Sequence, residues 1–306
     1  KMSDNTSYKY FDPALLAGLQ NLKLAAGHIV DGFLAGLHKS HFRGFNVEFS
    51  QHRQYMPGDE IKNIDWKIFA KTDKYYVKEF EEDTNLKAHI LLDCSSSMMF
   101  KPGAGAHGRA DYSKFDYACY LVIALAYIIL KQQDSVGLIT FSDRILNHVP
   151  ASSSASHFKV LLEELERAKL NKKTALSESF NEVASRIKRR GLIIVISDLY
   201  DDENEILKSL KHFRHKHHEV AVFHLLSDFE LNLPVSGETQ FIDLENSSSI
   251  ITNAESLRED YMAGFNKFIA DFKANCLRSY IDYNLISTST PIDRALNHYL
   301  VKRARS

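Results

Sequence analysis

From residue 86 onward, short apolar runs that end in polar clusters alternate with stretches of helical period. Ala88-His89-Ile90-Leu91-Leu92 ends at Asp93, and Gly191-Leu192-Ile193-Ile194-Val195-Ile196 ends at Ser197-Asp198. Continuous runs of that length predict strands buried on both faces. Further strands are predicted over Ser135–Phe141 and Glu219–Leu226, with Gln240–Leu244 as the last strand and Arg144–Val149 as a hairpin edge. Between them, apolar residues recur with helical spacing over Lys114–Lys131, His157–Ala168, Leu176–Arg189, Glu203–His215 and Ala254–Leu277. Ser289-Thr290-Pro291 starts a final helix, with proline at its first position. Repeated strand–helix–strand units imply an α/β fold: a doubly wound, mostly parallel sheet with helices on both faces.

The first 85 residues follow a different rhythm. Helical periodicity runs from about residue 12 to residue 38, Phe42–Ser50 alternates like a strand, and Tyr75–Phe80 reads as another. Met56-Pro57-Gly58-Asp59 is a turn, since proline fixes φ and glycine accepts a positive one. The expected organisation is therefore a helix plus a small β element over 1–85 and the α/β domain over 86–306. Trp66, the only tryptophan, is expected to anchor the β element against the larger core. Arg53, Asp59 and Asp65 are expected to form a buried ion-pair network or a partner surface.

Composition changes little in this picture. A formal net charge of −1 provides no global field for nucleic acid or anionic lipid. The longest apolar run, Tyr117–Leu130, falls short of the roughly 20 residues of a membrane span and reads as a buried helix. Three widely spaced cysteines form no framework, and the first residues lack the apolar core of a signal peptide. The expected location is the cytoplasm.

Candidate chemistry sits at strand ends, where open α/β sheets bind ligands. Asp93-Cys94-Ser95-Ser96-Ser97 follows one buried strand and Ser197-Asp198 another, while Asn171-Lys172-Lys173-Thr174 lies in a loop between two helices. Alternation in Asp93-x-Ser95-x-Ser97 lets three side chains converge if the loop stays partly extended. Carboxylates and hydroxyls are hard oxygen donors, suited to Mg²⁺, with Mn²⁺ or Ca²⁺ as alternatives, rather than to zinc. Each cluster alone could be a helix or loop cap; the three together, in order on one sheet, point to a metal.

Asp93, Ser95, Ser97, Thr174 and Asp198 resemble the metal-ion-dependent adhesion site of von Willebrand factor type A domains. That resemblance implies direct metal binding by the two serines. It also implies direct or water-mediated binding by the threonine and aspartates, with a partner's carboxylate completing the shell. A second resemblance spans nearly the whole chain. Arg53-Gln54-Tyr55-Met56-Pro57-Gly58-Asp59-Glu60-Ile61-Lys62-Asn63-Ile64-Asp65-Trp66 and Val77-Lys78-Glu79-Phe80-Glu81-Glu82 are similar to the signature of the bacterial domain of unknown function 58 family. Membership implies a type A-like domain after this block and a MoxR-type AAA+ ATPase as partner. In this sequence Thr174 follows two lysines where that family has glycines.

Other signals lead elsewhere. Gly103-Ala104-Gly105-Ala106-His107-Gly108 has dinucleotide-loop spacing but lies about ten residues past the strand end, and reads as a surface loop. His212, His215, His217 and His218 straddle a helix end and a strand start, so their directions should diverge. The basic tail Lys302-Arg303-Ala304-Arg305 reads as a solvated helix end. No Walker A, GxSxG or HExxH pattern is present. The expectation is a metal-dependent binding module rather than an enzyme. The alternative is a haloacid-dehalogenase-type phosphotransferase with Asp93 as nucleophile, but Ser95 stands where such enzymes carry their second aspartate.

Overall fold

The computed structural model describes residues 8–12, 47–59, 61–82, 86–101, 112–171, 176–244 and 248–304. The expected helix over 12–38, the start of the strand predicted over Phe42–Ser50, and the Gly103–Gly108 loop lie outside these residues. The chain divides into two units, one over Phe33–Asn85 and one made of the remainder.

In the smaller unit, β1 (Val47–Gln54) pairs antiparallel with β2 (Tyr76–Glu82), with a register shift between Phe49 and Gln51. The predicted turn is present. Gly58 has φ +111°, Asp59 N donates to Met56 O at 3.1 Å, and Met56 N donates to Asp59 Oδ2 at 2.8 Å. Arg53 Nη2 meets Asp59 Oδ1 at 2.9 Å, but this pair is half-buried rather than sealed. Asp65 is buried and caps α1 (Trp66–Thr72), accepting from the backbone of Lys67 and Ile68, and it also meets His52 Nε2 at 3.1 Å. The anchoring role expected of Trp66 is corrected: it is 56% exposed and meets Phe69 edge-on within its own helix.

The larger unit is built on a six-stranded sheet. Its strands are β3 (Lys87–Asp93), β4 (Ser135–Phe141), β5 (Ile145–Ser152), β6 (Leu192–Ser197), β7 (Glu219–Leu226) and β10 (Ile281–Ser287), in the order β10-β7-β6-β3-β4-β5. All neighbours are parallel except β4–β5, so the doubly wound, mostly parallel α/β expectation holds. Every residue of β6 is buried, as its unbroken apolar run requires. Gly191 leads into it because a Cβ there would lie 2.2 Å from the carbonyl oxygen of Lys87.

One face of the sheet carries α2 (Lys114–Lys131), against which α3 (His157–Arg167) and α8 (Ile292–Ala304) pack. The other carries α4 (Leu176–Arg186), α5 (Glu203–His215) and, after the short α6 (Asp228–Asn232), α7 (Ala254–Arg278); Phe180, Phe213 and Phe272 of α4, α5 and α7 share a core with Leu91, Val195 and Val222. Tyr8–Asp12 belongs to this unit. Lys9 Nζ pairs with Asp116 at 2.7 Å and Tyr10 packs edge-on against Tyr120. The larger unit thus takes in an N-terminal segment that the sequence grouped with the β element.

Gln240–Leu244 is not the last strand of the sheet. β8 (Glu238–Ile242) pairs with β9 (Ser249–Asn253) in a separate antiparallel hairpin, and its residues alternate between exposed and half-buried. The sheet is completed by β10, parallel to β7. Its polar Asp282 and Asn284 break the apolar run, although Asn284 is buried and Leu285 is the exposed residue of the strand.

Candidate metal centre

After β3 the chain runs to β4 and β5 on one side and then returns to β6 on the other. The β3–β6 junction is therefore the topological switch point of the sheet, the place at the strand carboxyl ends where open α/β sheets bind ligands. Asp93 closes β3 and Asp198 follows β6 directly. Asp93 is fully buried: Oδ1 accepts from Ser95 N at 2.8 Å and Oδ2 from Ser197 Oγ at 2.5 Å. Ser95 is extended, but Ser96–Met99 wind into a 3-10 turn rather than continuing the extended loop expected from the Asp-x-Ser-x-Ser spacing; that turn brings Ser95 Oγ and Ser97 Oγ within 2.9 Å of each other. Leu199, in left-handed backbone with φ 54°, turns the chain out of β6 while its N–H donates to Ser197 Oγ.

Burial, then the nearby charge of Asp198, push the Asp93 carboxyl up to about 7. Asp198 is also buried, and its two oxygens differ. Oδ2 accepts from Lys114 Nζ at 2.7 Å, whereas Oδ1 has no hydrogen-bond partner among the described residues. Lys114 also reaches Glu230 Oε1 at 2.6 Å. Burial alone would lower its pKa, but Asp198 and Glu230 outweigh that and keep the ammonium charged. Beneath, His224 Nδ1 meets Tyr283 Oη at 2.6 Å and Nε2 meets the Asp198 carbonyl at 3.0 Å; burial pushes this histidine down to about 4, so it is neutral. Cys94 is sealed away, with burial raising its thiol pKa far above the ordinary value.

Thr174 lies outside the described residues, but both flanks of its loop are tied to the site. Asn171 N donates to Cys94 O at 2.8 Å, and Leu176 N donates to Asp201 Oδ2 at 2.9 Å. Asn171 Nδ2 further reaches Ser142 Oγ and Asp143 Oδ1, both at 3.1 Å. Of the five residues read from sequence, four thus stand at this switch point. Ser197 and Asn171 lay in the clusters read from sequence, whereas Lys114, Glu230 and His224 were not foreseen. The donors are hard oxygens at a strand end and in the 3-10 turn that follows it, and one buried carboxylate oxygen, Asp198 Oδ1, has no partner among the described residues. Both features fit a small divalent cation. The histidine tract does diverge: His212 Nδ1 meets Asn181, whereas His218 is buried against Phe213.

The profile of the family described as "Protein of unknown function DUF58" matches residues 51–268. This chain belongs to the DUF58 family. The matched stretch of this DUF58 chain includes all five residues read from sequence. Over 238 residues it is 26% identical to the uncharacterized protein Rv1480 of Mycobacterium tuberculosis, spanning 77% of this chain and 72% of that one. It is 23% identical to the uncharacterized protein YeaD of Bacillus subtilis over 152 residues, 49% of this chain and 34% of that one. Among solved structures it is similar to the conserved hypothetical protein BatB from Bacteroides thetaiotaomicron, at TM-score 0.45 and 21% identity over 72% of this chain and 100% of that one. It is also similar to the SpRpn10 VWA domain, at TM-score 0.40 and 14% identity over 70% of this chain and 95% of that one. The α/β assignment of this DUF58 chain stands on its own sheet order. No helix among its described residues is long and apolar enough to cross a membrane.

Proposed function

We propose that this protein is a metal-dependent protein-interaction module. Asp93, Ser95, Ser97 and Asp198, joined by Thr174, hold one Mg²⁺ at the switch point of the sheet. The observation that carries this reading is the meeting of two buried carboxylates and two converging serine hydroxyls at that point, with Asp198 Oδ1 unpartnered among the described residues. Bound there, the metal supplies a Lewis-acidic position for an acidic side chain of a partner. Ser197 and the Ser95 N–H orient Asp93, and the Asn171 tie to Cys94 braces the loop from the other side. The partner in this proposal is a MoxR-type AAA+ ATPase or its client, and the place of action is the cytoplasm, in keeping with three free, buried cysteines.

A phosphotransferase reading gains nothing from the geometry. The residue two positions on from Asp93 is Ser95, whose hydroxyl faces Ser97, so the second aspartate of such an enzyme has no counterpart here.

The test is a pull-down from native lysate with wild type and Asp93→Ala, each with Mg²⁺ and with EDTA, after circular dichroism confirms that the variant folds. The expected outcome is a partner retained only by wild type with Mg²⁺. Because metal and proton compete for Asp93, retention should weaken as the pH falls below about 7. Equal retention in all four samples would remove metal-mediated recognition and turn attention to the Arg53–Trp66 block.

A further inference from the structure

We propose that Lys114 is an internal cation that competes with the metal for Asp198 and so sets how tightly the site holds it; this rests on the metal reading above. Lys114 is the first residue of α2, directly after its Ser113 cap, and its side chain is 1% exposed. Two terms oppose a lysine there. The helix N-terminus is the positive end of the dipole, and burial strips the ammonium of water. It is held by Asp198 Oδ2 at 2.7 Å and Glu230 Oε1 at 2.6 Å, with the Phe100 ring 5.9 Å from Nζ.

The two carboxylates are not equivalent. Glu230 is fixed from other sides. Its Oε2 accepts from both the N–H and the hydroxyl of Ser227 at 2.7 Å, and its carbonyl accepts from Tyr261 Oη at 3.0 Å. Asp198 presents its second oxygen without a partner among the described residues. When Asp198 engages a metal, Lys114 therefore keeps Glu230 as counter-ion and no charge is stranded. While the lysine stays close, its repulsion of a divalent cation is scarcely screened, since water is excluded around it. The result is a site whose affinity is held down by a neighbour rather than by a missing ligand.

The experiment compares wild type with the double variant Lys114→Met/Glu230→Gln, which removes one charge of each sign and leaves net charge unchanged. Mg²⁺ and Mn²⁺ are titrated calorimetrically, and circular dichroism and thermal midpoints check the fold. The double variant is expected to bind about tenfold tighter or more, because the ammonium at Asp198 acts at closer range than the Glu230 carboxylate. Glu230→Gln alone, which leaves the lysine to Asp198, is expected to bind more weakly than the double variant by a larger factor. Lys114→Gln in the Glu230→Gln background replaces the methionine variant if that fails to fold. Equal affinity in wild type and the double variant, with binding lost in Asp93→Ala, overturns the inference and leaves the metal reading standing. Absence of binding in every protein overturns both.

Discussion

Asp134 shows how a single buried carboxylate tunes this molecule. Its Oδ1 accepts from Leu86 N at 2.9 Å, its Oδ2 has no partner among the described residues, and burial raises its pKa from 3.8 to about 6. The folded state thus holds a proton that the unfolded chain has released. The resulting stability is fully present below about pH 4 and is lost as the pH rises through about 6. Asp134→Asn keeps the acceptor for Leu86 and escapes the loss. It should exceed wild type by on the order of 1 kcal/mol at pH 8 and match it near pH 4, read from denaturant midpoints. The candidate site was partly legible at this scale. Asp93 and Asp198 declare themselves by ending apolar runs, and Ser95 and Ser97 by their spacing. Lys114 did not, because a lysine in sequence is normally solvated. Its only signal was a cation placed against the dipole at the start of an apolar helix.

At the scale of elements, α2 depends on its first turn. Ser113 and Asp116 form a reciprocal capping box, with Ser113 Oγ accepting from Asp116 N at 3.0 Å and Asp116 Oδ2 accepting from Ser113 N at 3.1 Å. Ser113→Ala should cost about 1 kcal/mol in chemical denaturation. The next residue is Lys114, so under the proposed metal reading loosening this turn should also alter Mg²⁺ affinity, whereas Ser156, whose side chain makes no cap bond on α3, should be neutral when changed. Elements with one strong period were legible: β3, β6 and α2 appear within a residue or two of their expected ends. β8 was read as a strand but assigned to the main sheet, and β9 and β10 were not read, because both mix apolar and polar positions. Gln240–Leu244 has the more strand-like composition, yet Ile281–Ser287 holds the place on the sheet. What separates them is the packing of Ile281 and Tyr283 against Phe272 and Cys276, a contact no local pattern reveals.

Across the whole molecule, histidines withdrawn from solvent govern the response to acid. His89, His218 and His224 are each lowered from 6.5 to about 4, chiefly by burial. Between those values the unfolded chain binds protons that the folded chain refuses, so stability falls as the pH drops from 6.5 toward 4. Asp93 and Asp134 act in the opposite direction, but burial lowers His148 as well, so four histidines stand against two carboxylates. The midpoint of urea unfolding should therefore be lower at pH 5 than at pH 7; a midpoint that held or rose would show that the histidines open to water before the fold is lost. The sheet order has a consequence for the protein as it is made. β10 lies on the flank of β7 but comes 54 residues later, counting from Leu226 to Tyr280. A nascent chain on the ribosome therefore presents the β7 edge and the underside of Phe272 until that last strand has left the exit tunnel. During that interval the unpaired edge is open to pairing with other chains, so delaying the synthesis of Ile281–Ser287 lengthens the time in which misassembly competes with folding.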